Sequence, residues 1–149
     1  MITVSINIDK VFKEISNRFE LLKEKDYLLR PLAIETIPNI KERVHIKGQA
    51  SDQSEIGTYS SGYLKLRQKR FKRSADPKII VSLTRQLEND YAVIGTVNGY
   101  GIGFNNPFNM QKAVWVEQIK RKIIYNLSAY EKDYITKRLQ ELVNGAINP

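Results

Sequence analysis

The sequence predicts an α+β domain: a small antiparallel sheet from about residues 78–104 and 120–126, with helices at both ends of the chain. Three observations predict it. Apolar residues recur at helical spacing near both ends, the period switches to two from Lys78, and Asn98-Gly99 separates two runs of branched and aromatic residues. A length of 149 residues fits a single domain, 1–149, with one core of moderate size.

At the start of the chain, Ile2, Val4, Ile6 and Ile8 alternate with Thr3, Ser5 and Asn7, the pattern of a half-buried strand or an extended arm. Asp9 is placed to cap a helix over 10–24, in which Val11, Phe12, Ile15, Phe19 and Leu22 share a face. That helix and the terminal one are expected to cover the sheet. A second helical stretch from Asp26 to His45 carries Leu29, Ala33, Ile37, Ile40 and Val44 on one stripe. Pro31 and Pro38 predict a late start and a kink or break, because each removes an N–H donor and clashes with the preceding turn.

KGQASDQSEIGTYSSG (47–62) is turn chemistry with little to bury, and reads as a surface loop. YLKLRQKRFKR follows, with six cations: Lys65, Arg67, Lys69, Arg70, Lys72 and Arg73. Six cations in nine residues could not be buried unpaired, so 63–76 is expected to be an exposed basic loop or arm, closed by Asp76-Pro77. Ile79, Val81 and Leu83 then alternate as a strand, and Thr84 can cap the single turn RQLEN. YAVIGTV (91–97) and YGIGF (100–104) form a hairpin about Asn98-Gly99, both of which tolerate the positive φ of a type I′ turn. MQKAVWVEQI (110–119) is a short helix whose Trp115 is expected in the core beside Val114 and Ile119. RKIIYNL (121–127) reads as a further strand. Ser128 and Glu131 make a capping box that opens a terminal helix with Ile135, Leu139, Leu142 and Ala146 on one face.

GTVNGYGIGF (95–104) looks superficially like a phosphate-cradling loop. Such loops place their glycines between a strand and a helix N-terminus, whereas this GxGxG run is itself a strand and no Lys-Ser/Thr follows. Gly101 and Gly103 share one face, where absent side chains admit another group. His45 is the only histidine and has no nucleophile or partner motif around it, so it reads as structural or surface, at a helix end where a cation can offset the dipole. Asp52, Glu55, Glu88 and Asp90 form no recognisable ligand loop, and no metal or other cofactor is implied. The chain has no cysteine, which excludes disulfides and thiolate chemistry and fits a reducing cytoplasm. No secretory signal or apolar span is expected, hence no membrane. The 24 Lys+Arg outnumber the 16 Asp+Glu to give +8, which suits a polyanion or an acidic partner surface.

Four segments in this order carry a resemblance: KERVHIKGQASDQSEIGTYSSGYLKLR, IIVSLTRQLENDYAV, GYGIGFNNPFNMQKAVWVEQ and IIYNLSAYEKDYI. Over about residues 35–140 the chain resembles the Mu-like phage virion morphogenesis and tail-completion proteins, which join heads to tails in tailed bacteriophages. Positions that match are Gly48, Asp52, Ile56, Gly57, Tyr59, Ser60, Tyr63 and Arg67, then Leu83, Thr84, Leu87 and Asp90. The hairpin residues Asn98, Gly99, Gly101, Gly103 and Phe104 follow, with Lys112, Ala113, Trp115 and Glu117 in the next helix and Leu127, Ser128 and Glu131 at the last cap. Relatives usually carry a glycine within the Leu-Thr-x-x-Leu element, where this chain has Arg85-Gln86.

The resemblance implies a non-enzymatic virion protein of the neck or tail terminus, assembled in the bacterial host cytoplasm. It would act as a ring-like homo-oligomer in contact with neighbouring neck and tail proteins, and with packaged DNA through Lys65–Arg73. Contact segments expected on this reading are Ile2–Ile8, Gly48–Gly62 and Asn105–Asn109. The alternative is a small basic nucleic-acid-binding protein using Lys65–Arg73, with phosphate contacts and interleaved Leu66 and Phe71. A ribonuclease relying on His45 and carboxylates is a more distant third.

Overall fold

The computed structural model of the chain describes residues 8–148. The expected arm at Ile2–Ile8 lies outside them, apart from Ile8, which opens the first helix. The elements are α1 (Ile8–Lys23), α2 (Lys25–Lys41) continued by a π-helical turn (Glu42–Ile46), α3 (Ser61–Phe71), α4 (Gln86–Asn89), β1 (Tyr91–Thr96), β2 (Gly99–Phe104), α5 (Pro107–Lys120) and α6 (Ala129–Ile147). The class is α+β.

α2 is the central element. It packs against α6 and against both strands, while α1 lies along α6 and α2. The strands are therefore covered chiefly by α2, with α5 against β2, and the expectation that α1 and α6 cover them is not met. Phe12, Ile15 and Phe19 of α1 remain 71%, 45% and 55% exposed. Pro31 and Pro38 both lie inside α2, which neither starts late nor breaks. Burial of Leu28, Leu32, Ala33, Thr36 and Ile40 along one face outweighs the lost donors. The disturbance surfaces one turn later. The helix widens so that the Lys47 N–H reaches the Glu42 carbonyl, five residues back.

That wide turn turns three consecutive residues inward: Arg43, Val44 and His45 are all buried. Val44 joins Ile40, Ala50, Ile56, Ile79 and Ile124 in the main core, with Tyr91, Ile102, Val116 and Tyr125 packed around it. Ala50 and Ile56 make the segment 47–62 part of the core rather than a purely surface loop. Gly48 closes the turn at φ +65°, and a methyl there would run into the Ile79 carbonyl. A second cluster, Leu87, Phe104 and Ala113, shares Val81, Tyr91 and Tyr125 with the first.

The sheet is smaller than expected, with β1 and β2 its only two strands among the described residues. Their register pairs Tyr91 with Phe104 and Thr96 with Gly99, so the tip is Val97-Asn98, one residue earlier than Asn98-Gly99. Neither tip residue takes positive φ; Gly99 does, at 155°, so the turn is not the type I′ expected. Gly103 leaves room for the Ile94 side chain, whose Cδ1 would lie 2.6 Å from an added Cβ. The glycines thus serve strand packing.

Residues 78–83 and 121–127 form no strand: beyond a single bridge from Lys78 to Thr58, their backbone groups are held by scattered backbone and side-chain partners. In the first segment the Ile79 N–H donates to the Gly57 carbonyl at 2.9 Å. The carbonyls of Ile80, Ser82 and Leu83 face His45 Nδ1, Arg67 Nη2 and Arg73 Nη2 at 3.2, 2.9 and 2.8 Å. In the second, the Glu117 carboxylate accepts from the Ile124 and Tyr125 amides at 2.7 and 2.9 Å. The Ile123 carbonyl accepts from the Ser51 amide, also at 2.9 Å.

Arg43 supplies the rest. Its Nε donates to Glu131 at 2.7 Å, and its Nη1 donates to the carbonyls of Gln49 and Ile124 at 3.2 and 2.8 Å. Nη2 donates to the Asn126 carbonyl at 2.9 Å and to Glu131 at 3.2 Å. All five donors of the guanidinium are satisfied. Glu131 also completes the expected capping box of α6, accepting from the Ser128 amide at 2.7 Å. An Arg43→Met substitution is expected to cost about 3–5 kcal/mol, since it strands the Glu131 carboxylate in the core. Replacing Glu131 with Leu as well should not restore stability, because three carbonyls still lack their donor. Urea unfolding at constant m-value measures both; full recovery in the double variant would show that only the ion pair mattered.

Candidate functional site

α3 begins at Ser60, whose Oγ accepts from the Tyr63 amide at 3.4 Å, and ends at Lys72 in the left-handed region. The basic run is therefore mostly helix, not a loop or arm. The α-helical repeat divides its cations. Lys65, Lys69 and Arg70 are exposed on α3 and Lys72 just beyond it, whereas Arg67 is buried and Arg73 half-buried. Arg67 lies over the Tyr59 ring at 4.3 Å and near Tyr63 at 5.8 Å. Its Nη2 donates to the Ser82 carbonyl, and its buried Nε has no acceptor among the described residues. Two of the six proposed polyanion contacts are thus committed to the protein's own backbone.

α5 is set by Asn106, whose side chain accepts from the Phe108 amide at 2.9 Å, with Pro107 at the first helical position. Asp90 fixes the approach: its Oδ2 accepts from the Asn106 amide and from Asn109 Nδ2, both at 2.9 Å. Trp115 does not enter the core as expected. It is 53% exposed, and Ile119 one turn on is 75% exposed. α5 is narrow on its buried side, where Asn109 and Ala113 face in.

Between α3 and α5 lies a groove of about 510 Å³. Ile79, Val81, Leu87 and Val116 give it an apolar lining, with Trp115 and Ile119 on the α5 side. Arg67, Arg85, Lys112 and Lys120 also line it, and no carboxylate does. Val81 and Arg85 both take positive φ, 43° and 61°, costly for a branched and a long side chain. Arg85 thus adopts the left-handed conformation at the N-cap of α4. Thr84 makes no cap for α4; Arg85 occupies that position.

Of the residues singled out in the sequence, Tyr59, Arg67, Leu83, Thr84, Leu87 and Trp115 converge on this groove. Gly48 and Gly57 belong to the turn behind it, and Asn98, Gly99, Gly101, Gly103 and Phe104 belong to the hairpin. Arg85, Lys120 and Ile119 were not read as site residues. The available signal was the spacing Lys112, Trp115/Val116, Ile119/Lys120, which puts apolar and cationic groups on one face of α5.

His45 is structural. Its Nδ1 faces the Ile80 carbonyl and its Nε2 the Tyr91 hydroxyl, each at 3.2 Å. Burial pushes its pKa below the usual 6.5, despite opposing help from the Ile80 carbonyl and the Glu88 charge, so it is not the dipole-offsetting cation expected. Burial likewise raises the Tyr59, Tyr91 and Tyr125 hydroxyls. Among the described residues no group of three or more His, Asp or Glu is placed to hold a metal, and no helix is long and apolar enough to cross a membrane. No family model, curated protein or solved structure matches the chain.

Two outcomes follow from these environments. A His45 pKa depressed in the folded state means that the unfolded chain binds the proton more readily, so stability is fully present above pH 6.5 and declines as pH falls below it. Melting temperatures should drop between pH 6.5 and 4.5, before the Arg138-paired Glu35 begins to contribute, and His45→Asn should flatten that drop. An unchanged slope in the variant would exclude His45. Separately, replacing Lys65, Lys69, Arg70 and Lys72 together with Ser should leave thermal stability nearly unchanged. Arg67→Ser alone should cost on the order of 2 kcal/mol, because it leaves the Ser82 carbonyl buried without its charged donor.

Proposed function

We propose that the chain is a structural virion protein of a tailed phage, acting in head–tail joining or tail completion at the neck or tail terminus. It works as a ring-like homo-oligomer in contact with neighbouring neck and tail proteins and is assembled in the host cytoplasm. The observation that carries this reading is the uncovered apolar surface on two helices. α1 exposes Phe12, Ile15 and Phe19, and α5 exposes Phe108, Met110 and Val114 at 77%, 50% and 37%. Surfaces of that kind mark protein–protein contacts, and closed symmetric self-association covers them without leaving an open end. The resemblance to tail-completion proteins gives the assembly its place. The commitment of His45 to two internal hydrogen bonds, with its basicity lowered by burial, supports a binding role over general-base catalysis.

Purified protein should form a discrete ring by light scattering and electron microscopy. Phe108→Asp with Met110→Asp should reduce it to monomer while far-ultraviolet circular dichroism stays the same. Deleting the gene in its phage should leave filled heads beside unattached or malformed tails; normal infectious particles would refute the assignment.

A second reading, nucleic-acid binding, draws on the four exposed cations Lys65, Lys69, Arg70 and Lys72. With Arg67 and Arg73 held by backbone carbonyls, phosphate contacts from this run number at most four. Each contributes a slope of about 0.9 in log affinity against log salt, so the run supplies no more than about 3.6. Filter binding to duplex DNA across a salt series measures it, and a flat response removes this reading.

A further inference from the structure

We propose that the groove between α3 and α5 is a docking site for an acidic, apolar-anchored segment of a partner protein. The segment's carboxylate pairs with Arg85, Lys112 and Lys120, and its apolar side chain lies on Trp115 and Ile119. This deepens the assembly reading, on which it rests for the partner being a virion neighbour.

Charge complementarity selects the occupant. Four cations line the groove and no carboxylate does. Glu88, one residue beyond the lining residue Leu87, is engaged with Ser82 Oγ at 3.1 Å and with Arg85 at 3.9 Å. Lys112 donates to the neutral Gln86 and Asn109 side chains, at 2.8 and 3.4 Å, and neither Lys112 nor Lys120 pairs with a carboxylate among the described residues.

Arg67 supplies an independent observation. It is only 3% exposed, yet its Nε has no acceptor among the described residues. Fixed under the Tyr59 ring, its charge adds to the positive potential of the groove while an occupant pairs with the more exposed cations there.

The apolar lining favours a peptide over a nucleic acid. Ile79, Val81, Leu87 and Val116 offer no polar edge to read a base. Of the rings there, Tyr59 already carries Arg67, which leaves Trp115 as the exposed aromatic surface. A net charge of +8 disfavours a second copy of this chain as the occupant of a cationic groove. The volume of about 510 Å³ falls in the ordinary range for a bound anchor.

The test is selection of a displayed random heptapeptide library on the immobilised full chain, then titration of the most enriched synthetic peptide. Trp115 is the only tryptophan, so its emission reports occupancy directly. Enriched peptides should carry Asp or Glu beside an apolar or aromatic residue, and binding should move the emission to the blue. The triple reversal Arg85→Glu, Lys112→Glu and Lys120→Glu should weaken binding at least about tenfold, and reselection on it should favour Lys and Arg. Ile119→Ser should weaken binding without altering the charge preference. These variants leave Arg67 and the core in place, so circular dichroism should match the parent.

The proposal is overturned if no peptides enrich, if enriched peptides lack carboxylates, or if the triple reversal binds equally well. It is also overturned if inorganic phosphate or a single-stranded oligonucleotide shifts Trp115 emission as strongly as the peptide, which would assign the cations to phosphate. In vitro joining of heads to tails separates this site from the broader assignment. Joining that survives the triple reversal while peptide binding is lost would refute the groove's role in the virion. Peptide binding by a protein whose deletion leaves particles normal would refute the virion assignment and keep the site.

Discussion

The fold depends on one buried guanidinium. Arg43 sits at 4% exposure in the π-helical turn, and its five donors join three separated parts of the chain: the turn at Gln49, the extended segment at Ile124–Asn126, and the first turn of α6 through Glu131. Its burial is tolerated because every donor is met by a carbonyl or by Glu131. The Ile124 and Asn126 carbonyls have no strand beside them, and Glu131 is committed to the Ser128 cap. Loss of any member therefore leaves several polar groups unpaired at once.

The same device recurs around the groove. Arg67 and Arg73 hold the carbonyls of Ser82 and Leu83, and His45 faces that of Ile80. Irregular backbone beside the hairpin is thus held by side chains together with a few backbone bonds, such as that from Ile79 to Gly57, instead of by further strands. A groove follows from that choice, because a third paired strand would have drawn residues 79–83 into a sheet. The helices left α5 with apolar residues on its outer side as well as its inner one, and that second face carries Trp115.

Much of this was legible locally. The capping box at Ser128 and Glu131, the helical spans other than α3, the hairpin and the α+β class depend on neighbours within a few residues. The alternation of Ile79, Val81 and Leu83 predicts a strand that does not form, and Val81 takes φ 43°, outside the extended region. Alternation says nothing of what satisfies the hydrogen bonds, and here the partners lie in helices far along the chain. Trp115 was misplaced for a related reason: helical spacing shows that Trp115 and Ile119 share a face, but not which face is buried. Arg67 was misplaced because a dense basic run hides the one cation turned inward by the 3.6-residue repeat. The arm at Ile2–Ile8 lies outside the described residues.

The Arg43–Glu131 pin also bears on how the chain reaches its fold. Its two ends are separated by 88 positions, so closing it forfeits the entropy of a long loop before any of its hydrogen bonds form. Helices and the hairpin can form early from local contacts, whereas the core around Arg43 waits for α6. On a ribosome, a nascent chain that has not yet released residues 129–147 carries an arginine with no carboxylate to meet it. α6 follows every other described element in the chain, so the core closes only once it has emerged and folding of these elements completes nearly all at once.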